Sequence, residues 1–217
     1  REHGAMLVVA FVAVAAAVLT YPGEWGADIA VGEGQPFGTP MSFGGPYLGL
    51  FAARLEHVRR IPGRLVGETA DAEGRRAFTT TLRTREQDIR REKASSNVCT
   101  NQTLIAVTAA IQMGWLGKQG LVDVATQCAR GTRYLRESVL GIDGITPLLE
   151  PGSTFREFTL ETSVAPAVLI DRMADAGFLA GTAIETSRGD GLLVAVTEKR
   201  TKAEIDAYVD AMQKAVR

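Results

Sequence analysis

Residues 5–31, AMLVVAFVAVAAAVLTYPGEWGADIAV, decide how the fold is read. The run from Ala5 to Tyr21 is apolar and uncharged, with the basic flank REHG before it. As a signal peptide or membrane anchor, MLVVAFVAVAAAVL would be the hydrophobic segment. It falls short of the roughly 20 residues a spanning helix needs, and YPGEWGADIAVGEGQ goes on making compact, punctuated structure. As part of a globular domain, Ala5–Ala10 is a buried strand. An Ala-rich helix closed by Tyr21-Pro22-Gly23 follows, and Asp28–Val31 is a second buried strand. Continuous apolar strands alternating with helices mark a parallel sheet covered on both faces. This second reading is preferred, and it makes the chain begin inside an α/β domain whose first strands expect partners outside the sequence.

Composition narrows the function classes. The chain has 217 residues, enough for one large domain or two small ones, and a net charge of −1 with acids and bases interspersed. Nothing in that balance points to nucleic acid or to an anionic membrane. Cys99 and Cys128 are the only cysteines, without CxxC spacing or a nearby histidine, so a zinc site is not expected and a reducing compartment, the cytoplasm, is.

After Val31 the sequence GEGQPFGTPMSFGGP, residues 32–46, lies at the carboxyl end of a strand, where open α/β sheets place ligands. It lacks GxGxxG and GxxxxGK[ST] spacing and holds no lysine or histidine, so a phosphate cradle there would rest on backbone N–H groups alone. The alternative is an ordered crossover loop. Tyr47–Ala53 reads as a further buried strand, and His57, alone among charged residues, as a solvated side chain. Arg64–Thr69 and Arg76–Leu82 flank Asp71-Ala72-Glu73-Gly74 and predict a hairpin.

The stretch RTREQDIRREKASSNVCTNQ, residues 83–102, changes from a charged, helix-compatible run to a polar run rich in N-cap residues: Ser95, Ser96, Asn97, Thr100 and Asn101. The apolar positions Leu104, Val107 or Thr108, Ile111 and Trp115 then predict a helix buried on most of its surface, broken at Gly117-Lys118-Gln119-Gly120. A second helix carries Leu121, Val124, Cys128, Leu135 and Val139 on one side and ends near Gly141. Beyond it a small α+β unit is expected. Its parts are a strand Phe155–Thr162, a helix Pro166–Ala176 stopped by Gly177, and a turn Gly189-Asp190-Gly191 leading into the strand Leu192–Thr197. A last helix starts at the capping box Thr201/Glu204 and buries Ile205, Tyr208 or Val209, Met212 and Val216. The organisation read from the sequence is thus 1–100 as part of a large α/β domain, 101–140 as linking helices and 141–217 as a small α+β domain.

That order resembles the C-terminal half of a pyridoxal-phosphate-dependent transferase of the aspartate aminotransferase fold type. Three local sequences narrow the likeness: GADIAVGEGQPFGTPMSFGGPYLGLFA, IPGRLVGETADAEGRRAFTTTLRTREQDIRREKASSNVCTNQ and LLVAVTEKRTKAEID. They resemble the P-protein of the glycine cleavage system, the glycine decarboxylase, in the form called subunit 1. The likeness runs from about Gly4 to the C-terminus, with Phe11–Thr20 departing from it.

The resemblance implies glycine decarboxylation carried out only as part of an assembly. In that family the cofactor lysine belongs to the paralogous subunit 2, and Asp28–Val31 here leads into a loop with no lysine before Lys93. Pyridoxal phosphate is therefore expected on the partner, with no catalytic, cofactor-binding or metal residue assigned to this chain. Subunit 2 and the lipoyl H-protein are the expected partners, in a heterotetramer. Candidate interface or site-supporting residues are Ser42, Gly44, Gly45 and Pro46, followed by Arg90, Arg91, Asn97 and Asn101. A catalytically inactive scaffold of the same fold is the competing expectation.

Overall fold

The computed structural model describes residues 3–95, 97–98, 100–149 and 154–217. Ser96 and Cys99, singled out above, lie outside them. The chain divides into two compact units, 1–116 and 117–217. The division falls at Gly117, whose φ of 65° and ψ of −177° interrupt the helical run α2, Thr103–Val139. That conformation is open essentially to glycine alone. The break expected at Gly117–Gly120 is therefore present.

In the first unit, β1 (Val8–Val12) and β2 (Ile29–Glu33) pair in parallel, as residues 5–31 require. The connection is a 3₁₀ turn, Ala13–Ala17, in place of the α-helix expected there. No side chain caps its start, and β-branched Val14 and Val18 favour extended backbone over a long helix. β3 (Gly49–Ala53) runs antiparallel to β2, so the sheet is mixed, in the order β1-β2-β3.

The predicted hairpin forms from β4 (Leu65–Ala70) and β5 (Arg76–Thr81). Asp71 organises its turn, one carboxylate oxygen accepting from the N–H groups of Glu73 at 3.0 Å and Arg75 at 2.9 Å. These bonds, the one from Arg75 foremost, hold the Asp71 carboxyl below its ordinary value.

Burial in this unit departs from expectation. Val8 is 56% exposed and Phe51 48%, and the part of α2 before Gly117 exposes Leu104, Ile111 and Trp115. Among the described residues the apolar side chains the unit buries are Ala13, Val14, Ala15, Ala27 and Ala109. The strands and the helix have the apolar faces of core elements but not a core.

The second unit has its own core. β6 (Ile145–Pro147), β7 (Glu157–Thr162), β8 (Thr182–Thr186) and β9 (Gly189–Ala195) form an antiparallel sheet in the order β6-β7-β9-β8. Against it pack α3 (Pro166–Asp175), α4 (Lys202–Ala215) and the part of α2 after Gly117. Leu135, Val139, Leu160, Leu169, Met173, Leu192 and Met212 are all but inaccessible. Tyr208 donates to the Ala180 carbonyl at 2.6 Å, and burial raises its phenol above the ordinary value. The free thiol of Cys128 is also buried, which pushes it up.

Helix ends here follow local chemistry. Gly177, at φ 87°, closes α3 with the N–H groups of Gly177 and Phe178 bonded to the carbonyls of Ala174 and Met173, a Schellman motif. Gly189-Asp190-Gly191 is not a turn, because it already belongs to β9 and the reversal lies just before it. A Cβ on Gly191 would stand 2.5 Å from the Leu160 carbonyl oxygen, so this glycine permits a close strand approach. β8, polar in sequence, was not expected.

The capping box at α4 is complete, with Thr201 Oγ1 accepting from the Glu204 N–H and the Glu204 carboxylate accepting from the Thr201 N–H. The bonds to Thr201 lower the Glu204 carboxyl from its ordinary value. A group depressed in the folded state stabilises above its unfolded-state value and loses that contribution as pH falls through the folded one. Thr201→Ala is expected to cost about 1 kcal/mol and to flatten this acid-side dependence, both readable from urea unfolding between pH 3 and 7. None of the described helices is long and apolar enough to cross a membrane.

Candidate functional site

The loop between β2 and β3 is built around one carboxylate. Glu33, the last residue of β2, accepts with a single oxygen from the N–H groups of Gln35 and Leu48, both at 2.9 Å. The Gly34 N–H bonds the Leu48 carbonyl at 2.7 Å and closes the mouth. Further out, Gln35 Nε2 donates to the Thr39 carbonyl at 2.5 Å. Gly38, at φ 89°, lies against Thr108 and Gln112 of α2, where a Cβ would meet Gln112 at 3.1 Å.

At the tip Phe43, Gly44 and Gly45 are consecutive left-handed residues, at φ 53°, 109° and 95°. Ser42 Oγ pins them by donating to the Gly44 carbonyl at 2.8 Å. Ser42, Gly44, Gly45 and Pro46 thus form one exposed tip. Its mouth does not fit a phosphate-bearing cofactor, because the amides that would hold an anion already hold Glu33, whose charge repels another. The chain's first lysine, Lys93, sits exposed in the short turn Arg91–Lys93.

The charged run is not one helix. Arg83–Arg85, the single α-turn α1 (Gln87–Arg90) and Arg91–Lys93 follow one another, with Leu82 and Arg91 at positive φ breaking the continuity. The residue that anchors it is Arg85, with its side chain only 7% exposed. Its guanidinium donates to the carbonyls of Ile61 and of Gly63, the latter at 2.6 Å, and pairs with buried Glu86 at 3.4 Å. The Ser95 N–H and hydroxyl both bond the Arg85 carbonyl, so Ser95 ties down this turn instead of capping a helix.

Arg90 and Arg91 are adjacent in sequence and exposed; Asn97 and Asn101, four residues apart, are exposed as well. Asn101 Oδ1 accepts from the Thr103 N–H at 3.1 Å and serves the start of α2. Sequence reasoning missed Glu33 and Arg85. Glu33 was detectable as an acid ending a strand two residues before a free loop amide. Arg85 looked like every other arginine of the run.

His57 was expected in solvent, but its side chain is 23% exposed and lies beside Glu56 and buried Asp28. The three could converge on a cation. Arg54 already fills that role, with Nε 3.1 Å from Asp28 Oδ1, while Asp28 Oδ2 accepts from the Leu7 N–H at 2.8 Å. The pair holds the β1 entry to the β2–β3 edge and is structural.

The mixed sheet, the loop at the end of β2 and the small antiparallel domain have the organisation of a pyridoxal-phosphate-dependent transferase fold. The solved structure of a glycine decarboxylase (P-protein) of the glycine cleavage system, in inhibitor-bound form, matches with a TM-score of 0.93 and 39% identity. That match spans 99% of this chain and 49% of that one. A sphingosine-1-phosphate lyase of Burkholderia pseudomallei, 18% identical with a TM-score of 0.64, shares the fold over 99% of this chain and 46% of its own. Residues 1–212 match the family described as Glycine cleavage system P-protein, and the chain belongs to that family.

A protein of Chlorobium limicola named probable glycine dehydrogenase (decarboxylating) subunit 1 is 52% identical over 212 residues, 98% of this chain. The chain covers 48% of that protein, about half the length of the curated relatives it matches. Pyridoxal phosphate is the cofactor of the family's fold.

Proposed function

We infer that the chain is the part of a two-subunit glycine decarboxylase that lacks the cofactor-holding lysine. The observation that carries this is the loop after β2, closed by Glu33 and without a lysine, in a chain whose relatives are named subunit 1. Pyridoxal phosphate, held by a second subunit, would withdraw electrons as glycine loses carbon dioxide. The lipoyl arm of the H-protein would take the remaining aminomethyl group.

The contribution of this chain is to exclude water and shape the approach to that site. The tip Ser42–Pro46 faces the partner, with Arg90, Arg91, Asn97 and Asn101 at the same interface. In this reading residues 1–100 complete a large domain, 101–140 link, and 141–217 form the small domain. The test is coexpression of the full-length chain with the second subunit, purification, and a glycine–bicarbonate carboxyl exchange assay. Exchange is expected only when both are present. Equal exchange by the second subunit alone would instead favour an inactive scaffold of the same fold.

A further inference from the structure

The loop from Gly34 to Leu48 joins two strands that are already neighbours. β2 and β3 pair antiparallel, and such a pair can be closed by a turn of about two residues. A connection this long, without secondary structure of its own, is in most domains either functional or disordered. This one is ordered, and by polar bonds.

One side chain clamps both of its ends. A single oxygen of Glu33 accepts from the N–H of Gln35 and from that of Leu48, both at 2.9 Å. The Gly34 N–H bonds the Leu48 carbonyl at 2.7 Å, and a Cβ on Gly34 would stand 2.9 Å from Leu48 Cδ2. Joining β2 to β3 does not need this arrangement. It lies at the carboxyl end of β2, where open α/β sheets place their chemistry.

We propose that Glu33 is a positioning residue. Acting through the Gln35 and Leu48 amides, it holds the loop in the shape that shields the site assembled with the second subunit, and so keeps water from the carbon left when glycine loses carbon dioxide. This rests on the two-subunit reading above. Water reaching that carbon diverts the reaction: the bond to the carboxyl group breaks, a C–H bond forms, and glycine plus a proton gives methylammonium and carbon dioxide. That product cannot take carbon dioxide back, so carboxyl exchange falls as methylamine rises.

The experiment compares Glu33→Ala, Glu33→Gln and, as a control, Glu68→Ala on the hairpin strand β4. Bicarbonate exchange and methylamine release are measured on the full-length chain with saturating second subunit, and amide hydrogen exchange at Gln35 and Leu48 on the full-length chain alone. Glu33→Ala is expected to lose protection at both amides, to lower carboxyl exchange about tenfold, and to raise the ratio of methylamine to exchange. Glu33→Gln keeps an acceptor oxygen without the charge and is expected to keep the protection and most of the exchange, while Glu68→Ala behaves as the unsubstituted chain. Should Glu33→Ala fail to fold, Glu33→Asp, too short to reach both amides, carries the same comparison. Amides that stay protected without the carboxylate overturn the proposal, as does lower exchange at an unchanged ratio, which is a structural role only. Either result leaves the two-subunit reading standing. No exchange by the unsubstituted pair overturns both.

Discussion

Residues 117–217 produced alone are expected to unfold in urea as a single cooperative transition, whereas residues 1–116 alone show none. The contrast follows from what each unit buries. The second encloses Leu160, Leu169, Met173, Leu192 and Met212 completely, each worth about 1.5–3 kcal/mol against exposure. Among the described residues, the apolar side chains the first encloses are alanines and one valine, too little to offset about 1–2 kcal/mol of backbone entropy per ordered residue. Circular dichroism during the titration checks it, and a slope of about 1–3 kcal/mol/M is expected for a unit of this size. A cooperative transition from 1–116 would show that its exposed strands and helix need no cover from other polypeptide.

The second large effect is expected at Arg85. In the full-length protein, Arg85→Ala strands the buried Glu86 carboxylate and leaves the Ile61 and Gly63 carbonyls without their donors. Removing one partner of a buried pair costs about 3–5 kcal/mol. Arg85→Lys keeps the charge but loses the fork that reaches two carbonyls at once, and should fall between. Arg90→Ala and Arg91→Ala, at exposed positions, are expected to stay within about 0.5 kcal/mol for folding. Denaturant midpoints of the four variants decide it, and an unchanged midpoint for Arg85→Ala would deny the anchor its role.

These two results mark where the sequence was legible. The α4 capping box, the α3 stop at Gly177, the Asp71 turn and the parallel pairing of β1 with β2 were all readable, because each rests on residues close in sequence or on a simple apolar period. Burial in residues 1–116 was not. An apolar stripe such as Leu104, Ile111 and Trp115 says that a face seeks cover, not that the cover lies in the same chain. Arg85 was hidden for a related reason. Its burial is set by carbonyls at Ile61 and Gly63, which the chain reaches only after a full hairpin. Gly189–Gly191 misled because glycine serves turns and close strand contacts alike, and only the Leu160 carbonyl beside Gly191 tells them apart. At the candidate site the loop was found from its place after a strand, while Glu33, which gives it shape, was passed over.

Glu33 also bears on how fast two surfaces can meet. A glycine-rich loop that waits for a ligand must search many shapes, and each encounter succeeds only for the fraction of time it is correctly formed. Here the Glu33 carboxylate already holds the Gln35 and Leu48 amides. On the proposed reading, in which the tip faces the second subunit, its shape is set before any collision, and association is expected to proceed as the meeting of rigid bodies, within about 10⁵–10⁷ M⁻¹s⁻¹. Cutting that carboxylate away would slow the encounter without removing a single atom from the surface that is met.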